Sequence, residues 1–304
     1  MLGEALLYRF KQVGNRVDLE GAIFNLKYAL ELTPADDPDR GSCLLSLANA
    51  LKTRFKHFGD HADLDQAIIY YQDRLELTPL GHAGRPRSLV NLANALLNRF
   101  EQGGDRADLD QAIIYLRDRL ELTPPGHASR SRSLLNIANA ILTRFEEVGD
   151  RTDLDQAIVY YQDRMELTPP GHPSRDNSLL NIANALLTRF EQVGNRADLD
   201  QAIVYYQSRL ELTPDGHLGR ATSLLNLSNA LKSRYELVRD PADLDNAVAY
   251  SQYALELRSL GHPDRSSTLI DLSGALWTRL ERIIVPNFMF VNLVHVFALS
   301  FAYG

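Results

Sequence analysis

Cysteine is nearly missing from this chain: Cys43 stands alone among 304 residues. A single thiol excludes an internal disulfide and any metal or redox site built on a CxxC pair. Basic runs are missing too. The formal net charge is −7, and the 32 lysines and arginines are scattered, which leaves nucleic acid and anionic membrane surfaces as poor partners. The first residues, "MLGEALLYRFK", lack the apolar core of a signal peptide, because Glu4, Arg9 and Lys11 interrupt it. A cytoplasmic location is the resulting expectation. Ordinary folding material is not scarce: 45% hydrophobic and 23% charged residues are proportions of a folded chain.

What is abundant is repetition. "DLDQAI" begins at Asp63, Asp108, Asp153 and Asp198, with the variants "DLEGAI" at Asp18 and "DLDNAV" at Asp243 in the same register. "NIANA" and its variants keep step, ending at Ala50, Ala95, Ala140, Ala185 and Ala230. Copies at a constant 45-residue period without insertions mean a stack of one supersecondary unit.

Each unit reads as two helices. In one copy Leu134, Ile137, Ala138, Ile141 and Phe145 fall on a single helical face. Gly149 then supplies a residue free to turn left-handed and end the helix. Asp153, with Gln156 three residues on, reads as a capping box that starts the second helix. Leu154, Ala157, Ile158, Tyr161 and Met165 form that helix's apolar stripe, and Thr168–Pro169 closes it. Asp155, Gln162 and Glu166 fall on its solvent side. No segment suggests a strand.

Ala157, Tyr161 and Pro169, with the large–small pair Ile137–Ala138, resemble the signature of the tetratricopeptide repeat over roughly residues 3 to 282. The resemblance implies an all-α, right-handed solenoid of stacked antiparallel helix pairs. Two departures stand out. The period is 45 rather than that family's usual 34, through a longer first helix and a longer corner, which is similar to kinesin light chains. The wording "LELTPPGHPSR…SLLNIANALLTRFEQVGN" more closely resembles fungal arrays that precede a CHAT domain, a caspase-like peptidase module. The second small position is also changed: Ala29 and Ala254 keep it, whereas Arg74, Arg119, Arg164 and Arg209 replace it. Such an arginine can lay its stem on apolar neighbours and carry its head to water, or pair with a carboxylate of the adjacent unit.

His82, His127, His172, His217 and His262 recur in the corner, in contexts such as "PGHPSR". Zinc needs its ligands in one small sphere, at ~2.0–2.1 Å. Equivalent points on packed helices lie about 8–10 Å apart, so these histidines cannot share a metal. The expectation is structural: glycine turns the chain, histidine caps the next helix, and a proline such as Pro173 sits in that helix's first turn.

The first helix carries a narrow uncharged strip opposite its apolar arc: Asn91, Asn94 and Asn98, then Asn136, Asn139 and Thr143, then Asn181, Asn184 and Thr188, then Asn226, Asn229 and Ser233, preceded by Ser46, Asn49 and Thr53. A merely solvated face would use Lys, Glu and Arg, which form helix better than Asn. The tetratricopeptide resemblance implies that this face lines a concave groove whose asparagines bind the backbone of an extended peptide. An amide both donates and accepts, so it reads a main chain without demanding a sequence. Two other readings stand beside this one, a ladder of amides bonded within the stack and an echo of recent duplication. With little charge on the strip, a carboxylate clamp is not expected.

No nucleophile elbow, phosphate loop, HExxH or paired-carboxylate motif occurs, so no catalytic residue, cofactor or metal is expected. The leading expectation is a protein–protein interaction scaffold that takes a protein or peptide on Asn49, Asn91, Asn94, Asn136, Asn139, Asn181, Asn184, Asn226 and Asn229, with self-association left open. The alternative is a sensing or oligomerising arm of a larger CHAT-type effector. A third reading, a tail-anchored adaptor, turns on residues 283–304. Gly3–Phe10 matches the second half of a first helix, and the pattern holds through Arg282. Then "IIVPNFMFVNLVHVFALSFAYG" replaces the expected glycine and aspartate, with Phe288 at the aspartate position. A span needs ~20 apolar residues, and Asn287, Asn292 and His295 interrupt this one. A capping helix would show a polar outer face. A translated intron or frame error is the reading favoured here, ahead of an anchor or a cap.

Overall fold

The structure is a computed structural model that describes the backbone of residues 2–302, and the side chains of residues 2–282 and of Ile284. Every regular element among the described residues is an α-helix, so the chain is an all-α solenoid. It divides into two compact units, Met1–Arg164 and Met165–Gly304. The first contains α1 (Leu2–Val13), α2 (Arg16–Leu32), α3 (Arg40–Phe58), α4 (His61–Glu76), α5 (Arg85–Gly103), α6 (Arg106–Glu121), α7 (Arg130–Val148) and nearly all of α8 (Arg151–Glu166). The second contains α9 (Arg175–Val193), α10 (Arg196–Glu211), α11 (Arg220–Val238), α12 (Pro241–Leu257) and α13 (Arg265–Ala302).

The helical faces read from the sequence are the buried ones. Leu134, Ile137, Ala138, Ile141 and Phe145 of α7 and Leu154, Ala157, Ile158 and Tyr161 of α8 are all in the core. Each large side chain removed from water contributes ~1.5–3 kcal/mol, which is what makes a helix pair hold together. Gly149 ends α7 at φ 74°, and glycines 14, 59, 104 and 194 repeat this left-handed exit. At Arg239 the same exit is made without glycine, at φ 60°. Ile284 occupies the register position of Gly149, yet the backbone there stays helical, so α13 runs on to Ala302. The side chains of the remaining tail, Phe288 included, lie outside the described residues.

The start of the second helix corrects the sequence reading. Its cap is not Asp153 but Asp150, whose Oδ1 accepts the Thr152 N–H at 3.0 Å. Asp60, Asp105, Asn195 and Asp240 do the same in their copies. Asp153 lies one turn further in, buried, and receives Arg144 of α7 at both oxygens, Nε–Oδ2 2.8 Å and Nη2–Oδ1 2.7 Å. Arg54–Asp63, Arg99–Asp108, Arg189–Asp198 and Arg234–Asp243 repeat this fork. The arginine also reaches an acid of the preceding copy: Arg54 to Glu20 at 2.6 Å, Arg99 to Asp65 at 3.0 Å and Arg144 to Asp110 at 3.2 Å. Hydrogen bonds donated to these carboxylates, the fork partner first, hold the guanidinium pKa of Arg54, Arg99 and Arg144 above the ordinary value.

The corner is a hydrogen-bonded turn. His127 Nδ1 accepts the Ser129 N–H at 3.0 Å, and His82 accepts from Gly84 at 2.9 Å. The histidine thus closes the loop just before α7, rather than capping the helix's own amides. Pro173 stands in the turn outside α9, which begins at Arg175, so it does not serve in the first turn. Arg130 Nη1 ties back to the Thr123 carbonyl at 2.8 Å, and the Thr123 hydroxyl donates to Ser133 Oγ at 2.9 Å.

Candidate functional site

Each unit bears part of the uncharged strip. In the first unit Asn49, Asn91, Asn94 and Asn136 are half-buried and Asn139 is exposed. In the second, Asn181, Asn226 and Asn229 are half-buried and Asn184 is exposed. The amides do not bond one another. Instead the Tyr71 hydroxyl donates to Asn49 Oδ1, Tyr161 to Asn139 and Tyr206 to Asn184, each at 2.7 Å. Sequence reasoning placed Tyr161 in the apolar stripe, where its ring indeed lies, but missed the destination of its hydroxyl. The signal was present: a tyrosine follows each of these asparagines by 22 residues.

This pairing orients the amide. With Oδ1 occupied, Nδ2 faces away from the tyrosine, and among the described residues the Nδ2 groups of Asn49, Asn139 and Asn184 meet no acceptor of the chain. Burial of the tyrosines pushes their phenols further above the ordinary value, so they remain donors throughout the physiological range. Two copies differ. Leu116 replaces the tyrosine opposite Asn94, and Ser251 replaces it in the copy of Asn229, where it bonds Ser228 at 2.7 Å. The third strip position is less available: the Thr53 hydroxyl is spent on the Asn49 carbonyl, one turn back on its own helix, at 2.7 Å.

One charged group on this face escaped the sequence reading. Lys52 is half-buried, with Nζ 5.5 Å from the centroid of the Tyr71 ring. Burial, followed by repulsion from Lys56 and Lys11, lowers its pKa to about 8. The positions in register are Leu97, Leu142 and Leu187, with lysine returning at Lys232. A cleft of about 390 Å³ is lined by Phe55, Lys56, Gly59, Asn98, Glu101 and Gln102, and so takes in one asparagine of the strip.

The arginines at the altered small position contradict the expectation that their heads reach water. Arg74, Arg119, Arg164 and Arg209 are only 8%, 5%, 4% and 5% exposed. Arg74 donates from Nε to the Gly41 carbonyl at 3.2 Å and from Nη1 to Ser88 Oγ; Arg209 donates to Ser223 Oγ at 2.5 Å. Desolvation holds the pKa of Arg74, Arg119 and Arg209 below the ordinary value. Among the described residues no helix is long and apolar enough to cross a membrane.

No family model and no curated protein matches the chain. Solved structures do resemble it. The assembly chaperone of RpL4 (Acl4) aligns with TM-score 0.54 and 15% identity over 94% of this chain and 100% of that one. A Podosopora anserina putative kinesin light chain of nearly identical TPR-like repeats aligns with TM-score 0.52 and 16% identity, over 72% and 98%. BtubC (BKLC) from P. vanneervenii aligns with TM-score 0.51 and 18% identity, over 79% and 91%. At such identities the likeness is one of fold.

Proposed function

From the premise of a solenoid of tetratricopeptide-like helix pairs, we propose that the chain is a protein-interaction scaffold whose first-helix strips hold an extended peptide. The observation that carries this reading is the set of tyrosine-oriented amides, Asn49, Asn139 and Asn184, each with its donor turned away from the tyrosine and unbonded within the chain. A side-chain amide fixed on one side and open on the other suits recognition of a backbone carbonyl, and holding it in advance reduces the ordering cost of binding. Asn91, Asn94, Asn136, Asn181, Asn226 and Asn229 extend the contact surface within their units. Acl4, an assembly chaperone of a ribosomal protein by its description, shares the fold and supports a partner-binding role.

A displayed library of random extended peptides supplies the test. Selected binders should weaken by about two- to tenfold for each change among Asn136→Ala, Asn139→Ala, Asn181→Ala and Asn184→Ala, matching ~0.5–1.5 kcal/mol per lost hydrogen bond. Helicity should stay unchanged. Variants that melt early while binding peptide normally would instead make the amides structural.

A further inference from the structure

The buried arginines point to a second binding site, at the corner that precedes the asparagine strip of α7. Arg119 is 5% exposed, and its Nε and Nη1 are buried with no hydrogen-bond partner. Arg74 bonds Ser88 and Gly41, and Arg209 bonds Ser223 from Nη1 although its Nε has no partner, so Arg119 differs from both at Nη1. The corner residue beside the arginine differs between these copies. A Cβ at Gly84 would lie 3.4 Å from Arg74 Nη2, and one at Gly219 would lie 3.3 Å from Arg209 Nη2. The equivalent residue beside Arg119 is Ser129, which has a Cβ in that place, and the hydrogen bond to Ser133 is not made.

Charge sharpens the contrast. The cleft of about 350 Å³ that Arg74 lines also holds Asp36 and Asp37. Arg209 feels the charge of Asp176. In the last corner Arg258, which bonds the register-equivalent hydroxyl of Thr268, has Asp264 3.6 Å away. The residues in register with Asp36 and Asp37 at the Arg119 corner are Gly81 and His82. Arg132 repels Arg119, as Arg87 in register repels Arg74. A guanidinium taken out of water without an anion is costly, and at Arg209 and Arg258 the fold supplies an aspartate nearby.

We propose that the corner around Arg119 receives a carboxylate side chain from an acidic segment of a protein partner. The incoming carboxylate plays the part that Asp264 plays beside Arg258, and it accepts from Arg119 with Arg132 adding attraction at the rim. This site does not depend on the asparagine strip.

The test is calorimetric titration of the full chain with a blocked tetraglutamate peptide, with blocked tetraglutamine and inorganic phosphate as comparison probes. Tetraglutamate should bind and tetraglutamine should not. Arg119→Ala, which restores the residue type found at Ala29 and Ala254, should weaken binding about tenfold or more. Arg132→Asn, which matches Asn177 in register, should weaken it about threefold. Asn139→Ala should leave it unchanged. Equal binding to the wild type and Arg119→Ala, equal binding of tetraglutamine, or binding of phosphate without tetraglutamate overturns the proposal. If Arg119→Ala loses helicity, Arg132→Asn decides: an unchanged affinity there overturns it.

Discussion

Replacing Lys52 by leucine should stabilise the protein near neutral pH, and the gain should fade as pH rises. Burial and the charges of Lys56 and Lys11 bring the Lys52 pKa to about 8, against an ordinary value of 10.5. Between those two values the unfolded chain holds a proton that the folded chain has released, so stability from this group rises with pH there. Below about pH 8 both states are protonated and the full penalty of a half-buried ammonium is present. One pKa unit corresponds to about 1.4 kcal/mol, which sets a ceiling of about 3 kcal/mol. The Tyr71 ring, 5.5 Å from Nζ, returns ~0.5–1 kcal/mol of that, so a gain of about 1–3 kcal/mol is expected at pH 7. Leucine already occupies this position at Leu97, Leu142 and Leu187, so the backbone there accepts it. Urea denaturation of both proteins, followed by circular dichroism at several pH values from 7 to 10.5, isolates the difference. A gap that is constant over that range would show that Lys52 titrates normally and would refute the reasoning.

The other predictions rest on single contacts. Asp153→Ala leaves Arg144 with only its longer contact to Asp110 and empties a buried site, and should cost about 2–4 kcal/mol in chemical denaturation. Gly149→Ala forces a side chain into the left-handed region at φ 74° and should lower stability by about 1 kcal/mol; Gly149→Asn should cost less, since Arg239 already adopts that region. Tyr161→Phe removes the hydroxyl that orients Asn139, so it should weaken binding of selected peptides severalfold while melting within a few degrees of the wild type, and a normal affinity would detach the tyrosine from recognition.

The architecture was legible because periodicity is a local property. The faces of α7 and α8 follow from spacings of three and four residues, and Gly149 announces the helix end by its chemistry. The cap failed for an instructive reason: Asp150 and Asp153 are both good N-cap residues, and what separates them is Arg144, which approaches from the preceding helix. The buried arginines failed in the same way. A long basic side chain reads as a surface residue until the hydroxyls of Ser88 and Ser223, 14 residues onward, are seen to meet it. The strip was visible as a chemical anomaly, asparagine where lysine or glutamate would serve helix better, but the tyrosine that turns each amide comes from a different helix.

The arginine fork carries a consequence for how such a chain changes in length. Arg99 joins Asp108 of its own copy to Asp65 of the copy before, and Arg144 joins Asp153 to Asp110, with the same donor and acceptor positions in each. These two junctions of the first unit therefore present the same lock and the same key. A gene that gained or lost one in-frame segment of 45 codons would regenerate a complete junction at the splice, wherever in a copy the cut fell. Growth and shrinkage by whole units are then nearly neutral for folding, while insertions of any other length would break the pairing. Selection is left free to tune the number of units to the span of whatever the molecule holds.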